Sequence, residues 1–168
     1  MAATKKIAAS PRYWLFKTEP SAYSIHDLAA EPKKSTFWDG VRNYQARNLL
    51  RDDVAVGDRV LFYHSNTEPL AIFGTAEVTR RGYPDHTALD PKSGHYDPKS
   101  TPEEPIWYMV DIKLIQIFPA PVTREQMQAS KKLKDMMLLK RGSRLSIQPV
   151  TKDEWNTIHE MAGVDDKI

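Results

Sequence analysis

Residues 37–48 read FWDGVRNYQARN, a stretch in which aromatic side chains stand directly beside polar ones that can form hydrogen bonds. Trp38-Asp39-Gly40 predicts a turn, and residues 42–50 predict a short helix. The same mixture recurs in three other segments: WLFK (14–17), FYHS (62–65) and RLSIQ (144–148). An aromatic core is the plain alternative on composition alone, but polar groups such as those of Arg42 and Asn43 are poor choices for a dry core, and this favours a binding surface.

Strands are predicted on both sides of this stretch, from β-branched and aromatic content and from alternation. They cover residues 13–17, 59–65, 71–79, 106–118 and 145–150. Bulky side chains occupy both faces of 59–65, which is typical of a central strand. Gly74 within 71–79 predicts a bulge or a close approach of another backbone.

Capping sequences predict where short helices begin. They are Ser24 with Asp27, Thr123 with Gln126, and Thr151 with Glu154. A further helical stretch is predicted over residues 133–139, and Gly163 is expected to end the last helix. Residues 31–36 are expected to be loop. Residues 82–105 are rich in proline, glycine and aspartate and predict a long loop that no strand pairing crosses.

The order of these elements indicates the fold class. Strands and short helices are mixed without regular alternation, which argues against a parallel doubly wound sheet. We therefore predict an α+β fold, a small, bent, mostly antiparallel β-barrel with short peripheral helices. Residues 1–11 are expected to form a flexible tail ahead of one domain over residues 12–164.

Composition narrows the class of protein. The chain has 168 residues, of which 40% are hydrophobic and 27% charged, as expected for one globular domain. It has no cysteine, which excludes disulfides and thiolate chemistry and fits a reducing cytoplasm, where we expect the protein to act. No apolar run approaches the roughly 20 residues of a membrane span, so no membrane partner is expected. We expect a monomer.

Charge permits a nucleic-acid partner without requiring one. The formal net charge is +2 and the sequence pI is about 8.7. Between residues 131 and 144 cationic side chains greatly outnumber acids, with Asp135 the single acid of that run. A solvated helix face is the plain alternative for such a run.

The sequence offers little for a reaction centre. Its glycines are too widely spaced for a dinucleotide-binding or Walker A loop. His159-Glu160 begins like a zinc-protease helix, but residue 163 is glycine instead of histidine. Asp85-His86 and His95-Tyr96-Asp97 share one long loop, and a metal held between them is a minor alternative. We therefore expect no catalytic residue, no metal and no cofactor.

A pocket for a base that has left its stack needs the groups that the aromatic segments supply. Aromatic faces stack on a base at ~1–3 kcal/mol each. Amides and hydroxyls read the Watson–Crick edge, because each side-chain amide presents a donor and an acceptor side by side. Cations outside the pocket hold the flanking phosphates.

The chain resembles an EVE domain from about Tyr13 to Gly163. The resemblance lies in YWLFKTEP (13–20), FWDGVRNYQARN (37–48), VGDRVLFYHSN (56–66), YPD (83–85), PIWYMVDIK (105–113) and RLSIQPVTKDEW (144–155). One departure is isoleucine in LSIQP, where the family usually has valine. The resemblance implies a PUA-like fold and a pocket for a modified base. Modified cytosine in DNA is the leading ligand class, and modified RNA is the alternative.

The resemblance also assigns candidate site residues. For the base pocket it implies Trp14, Trp38, Asn43, Tyr63, His64, Ser65, Ser146 and Gln148. For the phosphates we expect Lys17, Arg42 and Arg144. In the resulting hypothesis the base enters a slot between Trp38 and either Trp14 or Tyr63. The resemblance also implies that Tyr44 belongs to a pocket-lining motif, together with Trp38, Arg42 and Asn43.

Other functions are kept beside this one. The chain could bind RNA or accompany RNA modification, as other PUA-like barrels do. It could instead be an enzyme acting on a modified nucleobase, for which His64 is the candidate general base. A module that binds a small molecule or a protein would differ from both, because its binding would be insensitive to salt.

Overall fold

The computed structural model describes residues 10–167, and its regular elements are one sheet and several short helices. The strands are β1 (Tyr13–Thr18), β2 (Ser35–Trp38), β3 (Arg59–His64), β4 (Ala71–Pro84), β5 (Tyr108–Thr123) and β6 (Ile147–Val150). The α-helices are α1 (Ile25–Ala30), α2 (Tyr44–Asn48), α3 (Arg124–Gln128) and α4 (Lys152–Ala162). A π-helical turn, Leu49–Asp53, continues α2 directly.

The strands form a mixed sheet in the order β2-β5-β4-β3-β1-β6. β1 runs parallel to β3, and the other neighbouring pairs are antiparallel. The α+β class and the mostly antiparallel sheet are therefore confirmed. The sheet is not closed into a barrel: its edge strands β2 and β6 are not paired with each other within residues 10–167.

The bend of the sheet comes from its two longest strands. The register between β4 and β5 shifts at several points, including the step from Ile72 to Gly74, so the predicted bulge at Gly74 is confirmed. A β-carbon on Gly74 would lie 2.2 Å from the carbonyl oxygen of Gln116, which only glycine avoids. Because of these shifts β5 contributes Ile112 to the core on one face of the sheet and Phe118 to the core on the other.

The predicted starts of the helices are confirmed, but one predicted helix and two predicted loops are not. All three capping boxes are present, and Gly163 ends α4 with φ 68°. The predicted helix over 133–139 is wrong, since the chain forms separate 3-10 turns at Lys131–Leu133 and Met137–Leu139. The predicted loops are also too long: Ser35 and Thr36 open β2, and residues 82–84 extend β4. Pro84 is tolerated because it stands at the end of its strand.

The predicted tail over residues 1–11 falls mostly outside the described residues. Among the helices within residues 10–167, none is long and apolar enough to cross a membrane.

Candidate functional site

A cavity of about 690 Å³ opens beside the ends of β1 and β2. Its wall is built from the end of β1 and the segment after it, from β2 with the turn that follows, and from two distant loop residues, His95 and Ser146. The volume lies within the range typical of small-ligand sites. The FWDGVRNYQARN stretch therefore supplies one side of this cavity.

Trp38 joins the cavity to the core. Its side chain packs against Phe16 and Phe62, with ring centroids 5.4 Å away in each case, and edge-on against Tyr23 at 6.4 Å. Only 7% of the residue is exposed. Most of the indole is therefore core, and a small part of it faces the cavity.

Asn43 lines the cavity with hydrogen-bonding capacity to spare. Its side-chain oxygen accepts the backbone N–H of Ala46 at 3.0 Å and caps α2. This bond fixes the orientation of the side chain. The side-chain NH₂ donates no hydrogen bond to the described residues, so it can donate to a ligand.

Asp85 holds the turn after β2 in place. Its buried carboxylate accepts hydrogen bonds from the Gly40 N–H at 2.9 Å, from Arg42 Nη1 at 3.0 Å, and from the N–H and hydroxyl of Thr87. Burial by itself would raise the pKa of Asp85, but the bonds from Thr87, Gly40 and Arg42 outweigh it and lower the pKa. The carboxylate is therefore charged at neutral pH and ties the 82–105 loop to the cavity wall.

Arg42 is held by that loop as well as by Asp85. Its Nη2 donates to the His95 carbonyl oxygen at 2.6 Å. The His95 ring in turn lies against Gly40, where a β-carbon would come within 2.6 Å of it. Arg42 thus lines the cavity, but its charge is already compensated by Asp85.

Lys17 and Arg124 place two cations near each other at the end of β1. The pKa of Lys17 is lowered, first by burial and then by the nearby charge of Arg124. Within residues 10–167 neither side chain has an acidic partner within salt-bridge distance. The buried Nε of Arg124 also lacks a hydrogen-bond partner there. The pair is suited to receive an anion.

The cavity brings together only part of the predicted site. The predicted residues that line it are Lys17, Trp38, Arg42, Asn43 and Ser146. Those that do not line it are Trp14, Tyr63, His64, Ser65, Gln148 and Arg144. Arg144 is exposed on the loop that leads to Ser146, and Ser65 donates its backbone N–H to the Thr18 carbonyl.

Four of these six are buried and engaged inside the protein, which corrects their predicted position. Trp14 donates its indole N–H to Asp58 at 2.9 Å, and Tyr63 packs in the core on the opposite face of the sheet from Trp38. Gln148 donates to the Leu145 carbonyl at 2.9 Å and to the Ser143 hydroxyl at 3.1 Å. The slot between Trp38 and either Trp14 or Tyr63 is therefore absent. The fourth buried residue is His64, whose Nε2 accepts a hydrogen bond from the Ile25 N–H.

Sequence reasoning missed several residues of the cavity wall, chiefly Tyr23, Phe37 and the ring of His95. Tyr23 donates its hydroxyl hydrogen to Glu31 at 3.1 Å. Burial raises the pKa of Tyr23 to about 12, and the hydrogen bond to the Glu31 carboxylate contributes to the rise. His95 lies in the 82–105 loop, and the unusual length of that loop was the signal that could have pointed to it. The described residues contain no cluster of three or more groups that could hold a metal.

The burial of His64 leads us to expect a loss of stability in mild acid. Its Nε2 accepts the Ile25 N–H at 3.1 Å, and burial, with a smaller effect from His26, lowers its pKa to about 4. The unfolded chain takes up this proton near pH 6.5, so stability is full above that pH and falls as the pH drops from 6.5 to 4. The shift corresponds to about 3 kcal/mol.

Urea unfolding between pH 7.5 and 4 measures this effect. We expect His64→Gln to remove most of the pH dependence in that window, whereas His86→Gln, which changes an exposed histidine, should keep it. An unchanged pH profile in His64→Gln would show that another group titrates.

Comparisons with known proteins agree with this architecture. A family model described as the EVE domain matches residues 12–161. Thymocyte nuclear protein 1 of Homo sapiens is 40% identical, in an alignment that covers 87% of this chain and 72% of that protein.

Two solved structures are similar along nearly their whole length. A hypothetical protein from Leishmania major has a TM-score of 0.86 at 44% identity, covering 92% of this chain and 96% of that one. Human THYN1, crystallised in complex with DNA containing 5-methylcytosine, has a TM-score of 0.84 at 38% identity, covering 92% of this chain and 99% of that one.

Proposed function

This chain belongs to the EVE domain family, and from that membership we propose that it binds DNA containing a modified cytosine and takes the modified base into the cavity beside β1 and β2. The observation that carries the proposal is the cavity itself, in which an aromatic edge, a free amide donor and an unpaired cation face one space. The complex of human THYN1 with DNA containing 5-methylcytosine supports the choice of ligand. Binding without turnover is part of the proposal.

Recognition of the base would use the polar groups of the cavity wall. Asn43 is held by its bond to Ala46 and can donate its NH₂ to an acceptor on the edge of a cytosine. Ser146 adds a hydroxyl on the side of β1. Phe37 and Val41 give apolar surface against which a methyl group on the base can pack.

Phosphates would be held by cations, of which Lys17 and Arg124 have no acidic partner within residues 10–167. Lys17 lies in the cavity wall, and the charge of Arg124 is near enough to lower the pKa of Lys17. The exposed cations of residues 131–144, including Arg144, precede Ser146 in the chain and extend the positive surface. Arg42 has a different role in this proposal, because its bonds to Asp85 and His95 make it a support for the cavity wall.

Titration with oligonucleotides that differ only in one cytosine modification tests the proposal. We expect the 5-methylcytosine strand to bind more tightly than the unmodified one. Lys17→Met should weaken binding to both strands and reduce the slope of log affinity against log salt by about 1, because one phosphate contact is lost. Lys152→Met, which removes an exposed charge at the start of α4, should leave the slope unchanged. Equal affinity for every strand would refute base reading.

RNA and turnover are the competing outcomes of the same titration. Oligoribonucleotides of matched sequence decide between DNA and RNA. An enzyme would need a base in the cavity, and the candidate is His95, whose Nδ1 lies 3.3 Å from Asp39, rather than the buried His64. Mass spectrometry of the bound nucleoside after incubation would reveal any conversion, and none is expected.

A further inference from the structure

A second aromatic feature lies next to the cavity, and its two aromatic rings, Tyr44 and Trp107, do not line the cavity. Tyr44 is 59% exposed and stacks on the nearly buried Trp107, with ring centroids 5.0 Å apart and planes at 29°. The guanidinium of Arg42 lies 5.3 Å from the centre of the Trp107 ring, and that of Arg47 lies 5.1 Å from the centre of the Tyr44 ring. We call these four side chains the Tyr44 platform.

Three members of the platform are fixed by hydrogen bonds, and Tyr44 packs against them. Trp107 donates its indole N–H to Asp97 at 2.7 Å, and Arg47 donates to the carbonyl oxygen of Ile106 at 2.6 Å. Arg42 is fixed by Asp85 and by the loop. A large ring held open to solvent on fixed supports can stack on a ligand without a large cost in conformational entropy.

The position of the platform indicates what it would stack on. Arg42 and Asn43 line the cavity, and Tyr44 is the next residue in the chain, with its ring exposed. A base that enters the cavity leaves one face of its neighbour in the strand without a stacking partner. An exposed aromatic ring beside the cavity can take that place.

We propose that the Tyr44 platform stacks the base of the nucleotide adjacent to the one held in the cavity. The proposal rests on the function proposed above and adds a second recognition element to it. Stacking on an aromatic ring tolerates any base, so the platform would strengthen binding without reading the flanking sequence. Of the two arginines of the platform, Arg47 adds positive charge near the phosphate of the same nucleotide, because the charge of Arg42 is compensated by Asp85.

The test uses five ligands and three variants. The ligands are a single-stranded oligonucleotide with one 5-methylcytosine, the same strand with unmodified cytosine, two versions of the modified strand with an abasic site on the 5′ or on the 3′ side of the 5-methylcytosine, and free 5-methyl-2′-deoxycytidine. The variants are Tyr44→Ala, Tyr44→Leu and Tyr44→Phe. Leucine keeps an apolar cover over Trp107 without an aromatic ring, so it controls for local structure.

We expect Tyr44→Ala and Tyr44→Leu to weaken binding of the intact strand roughly 5- to 150-fold, the range for loss of one stacked base. Tyr44→Phe should bind like the unchanged protein. One of the two abasic strands should bind all three variants equally, because the base that Tyr44 contacts is missing. The free nucleoside should bind every variant equally.

Three results would overturn the proposal in distinguishable ways. If the variants bind the intact strand as the unchanged protein does, the platform does not stack a base. If Tyr44→Ala and Tyr44→Leu are weakened equally for the intact strand and both abasic strands, Tyr44 acts on something other than a neighbouring base. If modified and unmodified strands bind equally and the nucleoside does not bind, the cavity proposal fails, and the platform proposal fails with it.

Discussion

Replacing Trp38 with alanine should lower the free energy of unfolding by about 3–5 kcal/mol, the usual cost of removing a buried tryptophan. The residue is 7% exposed and its ring is packed by Phe16, Phe62 and Tyr23, so the void would lie within the core under the cavity. For a chain of this size the melting temperature should fall by roughly 6–20 °C. Binding should weaken as well, because the floor of the cavity is lost.

Melting and binding measured together separate the two roles of Trp38. Phe37→Ala is the matched control, since Phe37 is the preceding residue, lines the same cavity and is 42% exposed. It should affect binding while changing the melting temperature little. If Trp38→Ala melted like the unchanged protein, the indole would not be the core element that its packing indicates.

Asp85→Ala should be the second most damaging change, at about 3–5 kcal/mol, because it leaves a partly buried arginine without its partner. It also removes the acceptor for the N–H of Gly40 and for Thr87. The turn after β2 and the loop carrying His95 would no longer be joined, so the cavity should lose its ligand affinity.

The pH dependence of Asp85→Ala has a definite sign. The folded-state pKa of Asp85 is lowered, so its contribution is present above the unfolded pKa of about 3.9 and is lost as the pH falls through the folded value. The gap in stability between the unchanged protein and the variant should therefore narrow in strong acid. Chemical denaturation at pH 7 and below pH 3 measures the gap. Asp52→Ala, which changes an exposed acid, should show little effect at either pH.

Much of the fold follows from local sequence signals. The capping pair of Thr151 with Glu154 begins α4 where it was predicted, and the bulky faces of residues 59–64 correctly marked β3 as a central strand. Pairing between distant segments was beyond such signals. Nothing local in residues 13–18 indicates that they pair in parallel with β3, and the proline at residue 84 concealed the end of β4.

The site was harder to predict because a polar side chain in a strand can bind either a ligand or a backbone group of the protein itself. His64 and Gln148 were expected to face a ligand, but their side chains satisfy backbone groups, the N–H of Ile25 in one case and the carbonyl of Leu145 in the other. Asn43 also caps a helix and still has a free NH₂. Residue type does not distinguish these situations; only the geometry of neighbouring backbone does.

The place of β1 in the sheet bears on how the chain folds. This strand is the first one in the described part of the chain. It lies between β3 and β6, and Phe16 pairs with both Phe62 and Ile147. One side of β1 therefore stays unsatisfied until residues 147–150 have been synthesised. Contacts over so large a sequence separation slow folding and leave an open strand edge in the nascent chain, which is where self-association would begin.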